Sequence, residues 1–488
     1  MPATKKLIEI ALPLEAINRA AARERSARRG HPSKLHLWWS RKPLAVCRAV
    51  LFASLVDDPD QPGVAPELLA EIDRLPLPRA IDGTSQSAGE RRRAQLLSFI
   101  EQLIAWENSR DARTLATARR LILAATGGAP PPIYDPFAGG GSIPLEAHRL
   151  GLETLAFDLN PVAVLITKAL VEIPPQFAKL RPVNPADRNR IDVDWAHTTG
   201  LAADVRFYGA WFRAEAKRRI GHLYPGAQLP AEYGGGTAPI TAWLWARTVH
   251  CPNPVCGAQM PLVNSFALSM KRGREAWAVP IVDQTTKQVD FAIHHHSSDL
   301  PNGTIGRQGA TCLVCGSTAP LQYVRSEGQA GRLGAQLMAI AVEHNGERIF
   351  LPPAVAPSPP DGASPTWVPD VEMTRNPRHM TPPLYGMTTF DRLFTPRQLQ
   401  TLSCMSDLLR ETRSLILRDA AACGDRDSHA YMRAVVTYLA LALDKAINFW
   451  STLASWKSDD GSVRGTFARQ ALAIVWVFAE ANPFRAAG

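Results

Sequence analysis

Long apolar runs are missing from this sequence of 488 residues. The longest, Ala471–Ala479, falls well short of the ~20 residues that cross a bilayer and is more simply a buried helix or strand. The N-terminus does not resemble a secretory signal, because Glu9 interrupts the short apolar stretch that follows Lys5 and Lys6. These absences argue against membrane and exported proteins, and the expected location is a bacterial-type cytoplasm.

Cysteine is scarce, with seven residues in the chain. Without an export signal, we expect these thiols to be reduced or bound to metal rather than paired in disulfides. An excess of acidic residues is absent too: the formal net charge is +9. Residues 1–50 carry eleven Lys and Arg against three Glu, which accounts for +8 of that charge. A basic surface of this kind binds phosphates, and a solvated basic helix is an equally good interpretation.

Length and composition predict several soluble domains, since hydrophobic residues make up 46% and charged residues 20% of the chain. The expected organisation is a basic N-terminal helical region (1–130), an α/β core (131–245), a cysteine-bearing insertion (246–330), a proline-rich connector (331–390) and a helical region (391–488). Within the last region, apolar spacing predicts helices from Thr395 to about Leu417, over Tyr431–Trp456 and over Phe467–Ala479.

The predicted core begins with a strand, a glycine loop, a helix and a second strand between residues 133 and 158. This order is a βαβ unit, and it favours a doubly wound, Rossmann-like parallel sheet. The first strand ends at an acid, glycines let a ligand lie against bare backbone, and the next helix presents free N–H groups to a carboxylate. An acid at the end of the second strand accepts hydrogen bonds from ribose hydroxyls. The predicted S-adenosylmethionine-binding residues are Asp135, Pro136, Phe137, Gly139, Gly141, Ser142, Asp158 and Asn160.

The glycine loop has two other possible interpretations. A dinucleotide-binding loop has the pattern G-x-G-x-x-G, but Ile143 and Pro144 occupy the region of its third glycine. A glycine-rich turn without a ligand is the remaining alternative. The Asp135-Pro136-Phe137 strand end suits an amine and an adenine edge better than a pyrophosphate, so the loop favours S-adenosylmethionine.

Four of the cysteines form two pairs, Cys251 with Cys256 and Cys312 with Cys315, and each pair is followed by glycine. Two thiolate pairs on tight turns are the ligand set of a structural, tetrahedral Zn²⁺ site. The 55 residues between the pairs are long for one ribbon and predict a β insertion. Four free buried thiols, or ligands from His294–His296, are the alternatives. Cys47, Cys404 and Cys423 are expected to be packing residues.

Several segments together resemble one family, the adenine-specific DNA methylases that contain a zinc ribbon and an N-terminal domain of unknown function. The resemblance is carried by Leu12–Asn18, Gly30–Trp39, Asp135–Ser142, Ser142–Glu146 and Asp158–Ala163, and it runs over almost the whole chain. It implies a class I methyltransferase that binds S-adenosylmethionine, Zn²⁺ and DNA, as in restriction-modification and phage defence. The stretch His31–Ala45 resembles a motif that closes over the methionine end of the cofactor, which adds Lys42 and Pro43 to the site.

One element of such enzymes is missing. Methylation of an exocyclic amine uses a tetrapeptide of the type Asp/Asn/Ser-Pro-Pro-aromatic at a strand end, which accepts the amine N–H bonds and stacks on a flipped-out base. Neither Ile173-Pro-Pro175 nor Thr381-Pro-Pro-Leu384 fits this pattern. We therefore predict no catalytic residue in this chain. The resemblance implies the N-terminal part of a truncated, frameshifted or split enzyme, inactive alone, whose partner is a downstream polypeptide that supplies the tetrapeptide.

Two further functions stay open from the sequence. An RNA base methyltransferase uses a similar glycine loop, although residues 1–130 do not resemble the RNA-binding domain that such enzymes carry. A non-catalytic, zinc-containing nucleic-acid-binding subunit with a decayed cofactor pocket is the other alternative. Competition between DNA and RNA, and cofactor binding by Asp158→Ala, separate these functions.

Overall fold

The computed structural model describes residues 4–26, 30–78, 87–295, 303–357 and 364–485. The thirteen α-helices found there are α1 Leu7–Ile10, α2 Leu14–Ser26, α3 Leu44–Leu55, α4 Pro66–Asp73, α5 Ala88–Ile104, α6 Ala112–Ala125, α7 Ser142–Arg149, α8 Pro161–Val171, α9 Ile173–Gln176, α10 Thr199–Ile220, α11 Leu321–Gln329, α12 Pro396–Cys423 and α13 Ser428–Ile447. Across the same ranges, no helix combines the length and the apolar character needed to cross a membrane.

The strands are mostly short. They are β1 Ile133–Asp135, β2 Thr154–Ala156, β3 Ala227–Gln228, β4 Thr237–Ala238, β5 Ile240–His250, β6 Gln259–Leu262, β7 Ala267–Ser269, β8 Ala276–Asp283, β9 Gln288–His294, β10 Gly309–Thr311, β11 Thr318–Pro320, β12 Gly334–His344, β13 Glu347–Leu351, β14 Ser455–Lys457, β15 Ser462–Arg464 and β16 Val477–Ala481. The protein is therefore a mixed helix-and-sheet chain. It divides into two compact units, one of Met1–Val205 with Asp419–Ala442 and one of Arg206–Arg418 with Leu443–Gly488.

The first unit is mainly helical around one small parallel sheet. Its main core lies between α3, α5 and α6 and includes Phe52, Leu96 and Leu121, all with no exposed surface. Strands β1 and β2 pair in parallel, with Ile133 opposite Thr154, and α7 connects them as the predicted βαβ unit. Tyr134 and Phe157 lie 5.7 Å apart as a ring pair, and both side chains are more than half exposed.

The expectation of a doubly wound parallel sheet is corrected by these pairings. Among the named strands, parallel pairing is limited to β1 and β2, and no Rossmann-like sheet is formed by the described residues. The local prediction succeeded because turn and cap residues act over a few positions. The number of strands in a sheet depends on pairing partners distant in sequence, which the alternation of a βαβ unit does not reveal.

The second unit contains a seven-stranded antiparallel sheet in the order β13-β12-β5-β16-β14-β15, with β6 also paired to β5. The long strand β5 lies at its centre and is buried over almost its whole length. A separate three-stranded antiparallel sheet contains β7, β8 and β9. Strands β6 to β10 lie between the two cysteine pairs, where the long spacing predicted a β insertion.

The last α-helix of the described C-terminal region ends at Ile447, before the predicted Trp456, and a short 3₁₀ helix follows at Thr466–Ala468. The predicted capping box at the start of α12 is present, since Thr395 N donates to Gln398 Oε1 at 2.9 Å and Gln398 N donates to Thr395 Oγ1 at 3.2 Å. The predicted helix over Phe467–Ala479 is wrong. Val477–Ala481 is strand β16, which pairs antiparallel with β5 and places Phe478 opposite Trp245. A short apolar run does not distinguish a buried helix from a buried strand, and pairing with β5 decides it here.

Candidate functional site

The glycine loop connects the end of β1 to the start of α7. Gly139 and Gly141 have φ values of 53° and 73°, a left-handed region that side chains rarely adopt. Gly141 is the residue before α7, and no side chain caps this helix. The N-terminus of α7 therefore presents backbone N–H groups and the positive end of its dipole.

Asp158 holds the loop from the end of β2. Its Oδ2 accepts a hydrogen bond of 2.8 Å from Gly139 N, and its Oδ1 accepts one of 2.8 Å from Asn160 N. Asn160 in turn caps α8, because its Oδ1 accepts from Val162 N at 2.9 Å. Each carboxylate oxygen of Asp158 keeps a second lone pair, so the pair can still accept two ligand hydroxyls.

Asp135 is the last residue of β1, ahead of the glycine loop, and is buried. Its Oδ1 accepts a hydrogen bond of 3.2 Å from Phe137 N, whereas its Oδ2 is shielded from solvent and has no partner among the described residues. Burial raises the pKa of Asp135, and the negative charge of Asp158 adds to the rise. A buried carboxylate oxygen without a donor is the kind of group that an ammonium ligand satisfies.

The segment before α3 covers the glycine loop. A Cβ atom on Gly139 would lie 2.7 Å from Trp38 Nε1, and one on Gly140 would lie 2.8 Å from Arg41 Cζ, so both side chains lie directly against the loop backbone. The two residues of this segment that were predicted in the site do not lie against the loop in this way. Lys42 is exposed to solvent, and Pro43 is the N-cap of α3.

Glu24 fixes the position of this covering segment. Its carboxylate accepts hydrogen bonds of 2.8 Å from Leu44 N and 2.7 Å from Ala45 N at the start of α3. The His31 ring lies 3.5 Å from the same carboxylate. Burial opposes ionisation of Glu24, and the hydrogen bonds from His31, Ala45 and Leu44 together lower its pKa.

Two large apolar side chains are exposed after the ends of the two strands: Phe137, which was predicted in the site, and Leu159, which was not. The side chain of Phe137 is 85% exposed, and that of Leu159, which follows Asp158, is fully exposed. Both side chains are available to pack against a flat ring bound beside the loop.

The four predicted zinc ligands converge in the second unit. One Sγ atom from each of Cys251, Cys256, Cys312 and Cys315 lies within 4.8 Å of the other three. Sγ of Cys251 is 3.6 Å from that of Cys315, and Sγ of Cys256 is 3.9 Å from that of Cys312. Four thiol sulfurs this close, at separations near the edge of a tetrahedron with ~2.3 Å metal–sulfur bonds, fit a Zn²⁺ ion.

Each cysteine pair lies on a tight turn. The first turn follows β5, where Gly257 N donates to Asn253 O at 3.0 Å, and the second follows β10, where Gly316 N donates to Cys312 O at 2.9 Å. Without metal, burial raises the pKa of Cys251 to about 12, and a hydrogen bond from Ser317 lowers that of Cys315 to about 6. Of the alternative histidine ligands, His294 and His295 do not join the cluster, and His296 lies outside the described residues.

Comparison with known proteins adds one match. Residues 11–75 match a family described as a protein of unknown function, DUF1156. No curated protein and no solved structure matches the chain. The match includes Leu12–Asn18 and Gly30–Trp39, two of the segments that carried the resemblance, and it ends well before the glycine loop. It therefore identifies an N-terminal domain of unknown function and leaves the methylase resemblance as a prediction.

The structure brings Asp135, Gly139, Gly141, Ser142, Asp158 and Asn160 together around one loop, and it brings the four cysteines together in one cluster. Sequence reasoning missed Arg41 and Thr167, whose polar atoms are buried beside Gly140 and Gly141 without partners among the described residues. Arg41 carried a usable signal, because it precedes Lys42 in the segment that was predicted to close over the loop. Thr167 carried none, since one threonine in an apolar helix is unremarkable.

Proposed function

We propose that this chain binds S-adenosylmethionine at its glycine loop and forms the cofactor-binding part of a DNA methyltransferase that modifies the N6 amine of adenine. The observation that carries the proposal is the buried Asp135 Oδ2, which has no partner among the described residues, at the start of a left-handed glycine loop whose Gly139 is held by Asp158. Asp135 can accept hydrogen bonds from an amine of the ligand, and Asp158 can accept them from its hydroxyls. The glycine loop leaves backbone uncovered between them for the ligand to contact.

The residues of this chain hold and orient the cofactor in the proposed function. Asp158 accepts hydrogen bonds from the ribose hydroxyls, and Asp135 accepts them from the amine. Phe137 and Leu159 pack against the adenine. Lys42 and Pro43, in the segment before α3, keep the closing role that the resemblance implies. The cofactor supplies an electrophilic methyl group on its sulfonium when it is bound.

We propose a structural role for a zinc ion at the cysteine cluster. Four cysteine thiolates complete a tetrahedral shell and leave no open position for a substrate or a water. The cluster lies between β5, β6, β10 and β11, where a bound ion would fix the ends of short strands. We assign no chemistry to this ion.

The choice of DNA and adenine rests on the resemblance and on the basic N-terminal residues 1–50. The two proline pairs that come nearest to the catalytic tetrapeptide lie in helices: Ile173–Gln176 is α9, and Pro382–Tyr385 is a 3₁₀ helix. Neither lies at a strand end, as the chemistry requires. We therefore propose that the chain needs a second polypeptide, which carries the tetrapeptide, for methyl transfer.

Calorimetry with the full chain tests the cofactor. We expect saturable binding of S-adenosylmethionine and none of a nicotinamide dinucleotide. Absence of S-adenosylmethionine binding by a folded, zinc-loaded chain would favour the non-catalytic nucleic-acid-binding subunit.

A methyl-transfer assay tests the incomplete enzyme. With radiolabelled cofactor and either DNA or RNA, we expect no transfer by the chain alone. Transfer to DNA would contradict the proposed need for a second polypeptide, and transfer to RNA would select the RNA methyltransferase instead. Stronger competition by DNA than by RNA in an equilibrium binding assay is the result expected for the proposed substrate.

A further inference from the structure

Arg41 places against the glycine loop a guanidinium group that is unpaired among the described residues. Its Cζ would lie 2.8 Å from a Cβ on Gly140, and both terminal nitrogens are shielded from solvent without a partner in the described part of the chain. Burial lowers the pKa of Arg41, although an arginine keeps its charge at neutral pH. A buried positive charge without an anion is strongly unfavourable, so the fold places Arg41 where an anion is expected.

A second group of donors lies beside the same loop. The eight-residue helix α7 begins at Ser142 without a side-chain cap, and its N-terminus favours a negative ligand. Ser142 is 4% exposed, and its Oγ has no partner among the described residues. Oγ1 of Thr167, which would lie 2.9 Å from a Cβ on Gly141, is likewise unpartnered. A guanidinium, two hydroxyls and a helix N-terminus form a built site for one small anion.

Asp135, in contrast, favours a positively charged ligand group. Its unpartnered Oδ2 is an acceptor for a cationic group, and it lies at the other end of the same loop, before Pro136. One loop therefore combines an anion site with a cation site. An α-amino acid group, which carries a carboxylate and an ammonium on one carbon, satisfies both.

We propose that Arg41, together with Ser142 and the N-terminus of α7, binds the carboxylate of the ligand's amino acid group and selects ligands that carry it. This inference rests on the proposed binding of S-adenosylmethionine and identifies the residue that determines its specificity. The neighbouring Lys42 is exposed to solvent and is poorly placed for this role. A nucleotide phosphate has the same anion chemistry, and the test separates the two sources.

The test measures binding of four ligands to the full, zinc-loaded chain by calorimetry. The ligands are S-adenosylmethionine, its decarboxylated form, methylthioadenosine and ADP. The variants are Arg41→Gln and Arg41→Lys, with Arg19→Gln as the control, since Arg19 is an exposed residue on α2 paired with Glu15. In the unaltered chain we expect S-adenosylmethionine to bind at least tenfold more tightly than its decarboxylated form.

Arg41→Gln should weaken S-adenosylmethionine binding by about 10- to 100-fold and change binding of the decarboxylated form by less than about twofold, as expected for loss of one charge-assisted hydrogen-bonded pair. Arg41→Lys should recover part of the loss, and Arg19→Gln should have no effect. Equal weakening of both ligands by Arg41→Gln would mean a purely structural role and would overturn the inference.

Two other outcomes are informative. ADP could bind more tightly than S-adenosylmethionine and lose this affinity in Arg41→Gln. That result would assign the anion site to a phosphate and overturn its assignment to a carboxylate. If none of the four ligands binds the folded chain, the proposed function itself fails, and the inference fails with it. A readout without ligand is also available: Arg41→Gln should raise the melting temperature of the ligand-free chain, because it removes an unpaired buried charge. A clear fall would show that Arg41 has a partner and would overturn the site.

Discussion

The backbone amide of Gly139 donates a 2.8 Å hydrogen bond to the carboxylate of Asp158, and this bond joins the glycine loop to the end of β2. Nineteen positions separate the two residues in sequence. The loop conformation and the position of the carboxylate are therefore set together, before any ligand is bound. Preorganisation of this kind reduces the entropy lost on binding.

Replacement of Asp158 tests this arrangement. We expect Asp158→Ala to weaken S-adenosylmethionine binding at least 100-fold, because it removes the acceptors for the ribose hydroxyls and for Gly139 N. Asp158→Asn retains one acceptor and should lose less. Calorimetry measures both, with Asp111→Ala as a control for loss of an unrelated helix cap on α6. Unchanged affinity in Asp158→Ala would remove Asp158 from the site.

The pH dependence of stability tests Asp135. Because burial raises the pKa of Asp135 in the folded chain, its ionised form is penalised by folding. This free-energy penalty is absent below the pKa that Asp135 has in the unfolded chain. It develops as the pH rises through the pKa of Asp135 in the folded chain, and it is complete above that pKa. Asp135→Asn should therefore raise the free energy of unfolding at pH 7 by about 1 kcal/mol. The gain should shrink as the pH falls towards 4.

Urea denaturation across this pH range measures the difference between Asp135→Asn and the unaltered chain. The same variant should bind S-adenosylmethionine about 10- to 100-fold more weakly at pH 7, because the ammonium loses its charged acceptor. A variant that is less stable at pH 7 and binds normally would contradict both statements.

Removal of metal tests the cysteine cluster. We expect one Zn²⁺ per chain by elemental analysis, and a Co²⁺-substituted chain should give the absorption of a tetrahedral thiolate site. A strong chelator should lower the melting temperature of the second unit, since structural zinc contributes directly to folding. The affinity for Zn²⁺ should fall at low pH, because the thiols must lose their protons to bind the ion.

Cys256→Ser is the matched variant for the cluster, and Cys423→Ser is its control outside the cluster. We expect Cys256→Ser to lose the metal or to bind it much more weakly. Stoichiometric zinc in a Cys256→Ser chain would show that the four cysteines are not the ligand set.

A buried ion pair supports the helix that follows the glycine loop. Arg48 Nε lies 2.5 Å from Glu146 Oε2, both side chains are at most 1% exposed, and Arg149 also pairs with Glu146. Arg48→Met should destabilise the chain by about 3–5 kcal/mol, because it leaves the buried Glu146 short of positive charge. The double variant Arg48→Met with Glu146→Gln should recover part of the loss. Urea denaturation measures both, and an effect below about 1 kcal/mol in Arg48→Met would contradict the assigned burial.

The local part of the site was predictable from the sequence. The acid at the end of β1, the left-handed glycines, the start of α7 and the acid after β2 were each predicted from a pattern of a few neighbouring residues. The capping box of α12 was predictable for the same reason. The cysteine cluster was predictable although its pairs are 55 residues apart, because two cysteine pairs on glycine turns are a common ligand set of one structural metal site.

The tertiary structure decided what depends on distant partners. Strand β16 was predicted as helix because its apolar run has no clear period, and its pairing with β5, more than 200 residues earlier, makes it a strand. The parallel sheet stops at two strands among the described residues, which no local pattern reports. Arg41 became part of the site only because the fold lays Trp38 against Gly139 and Arg41 against Gly140. Turns and caps are fixed by short-range hydrogen bonds, whereas strand partners and buried charges are fixed by the contacts of the folded chain.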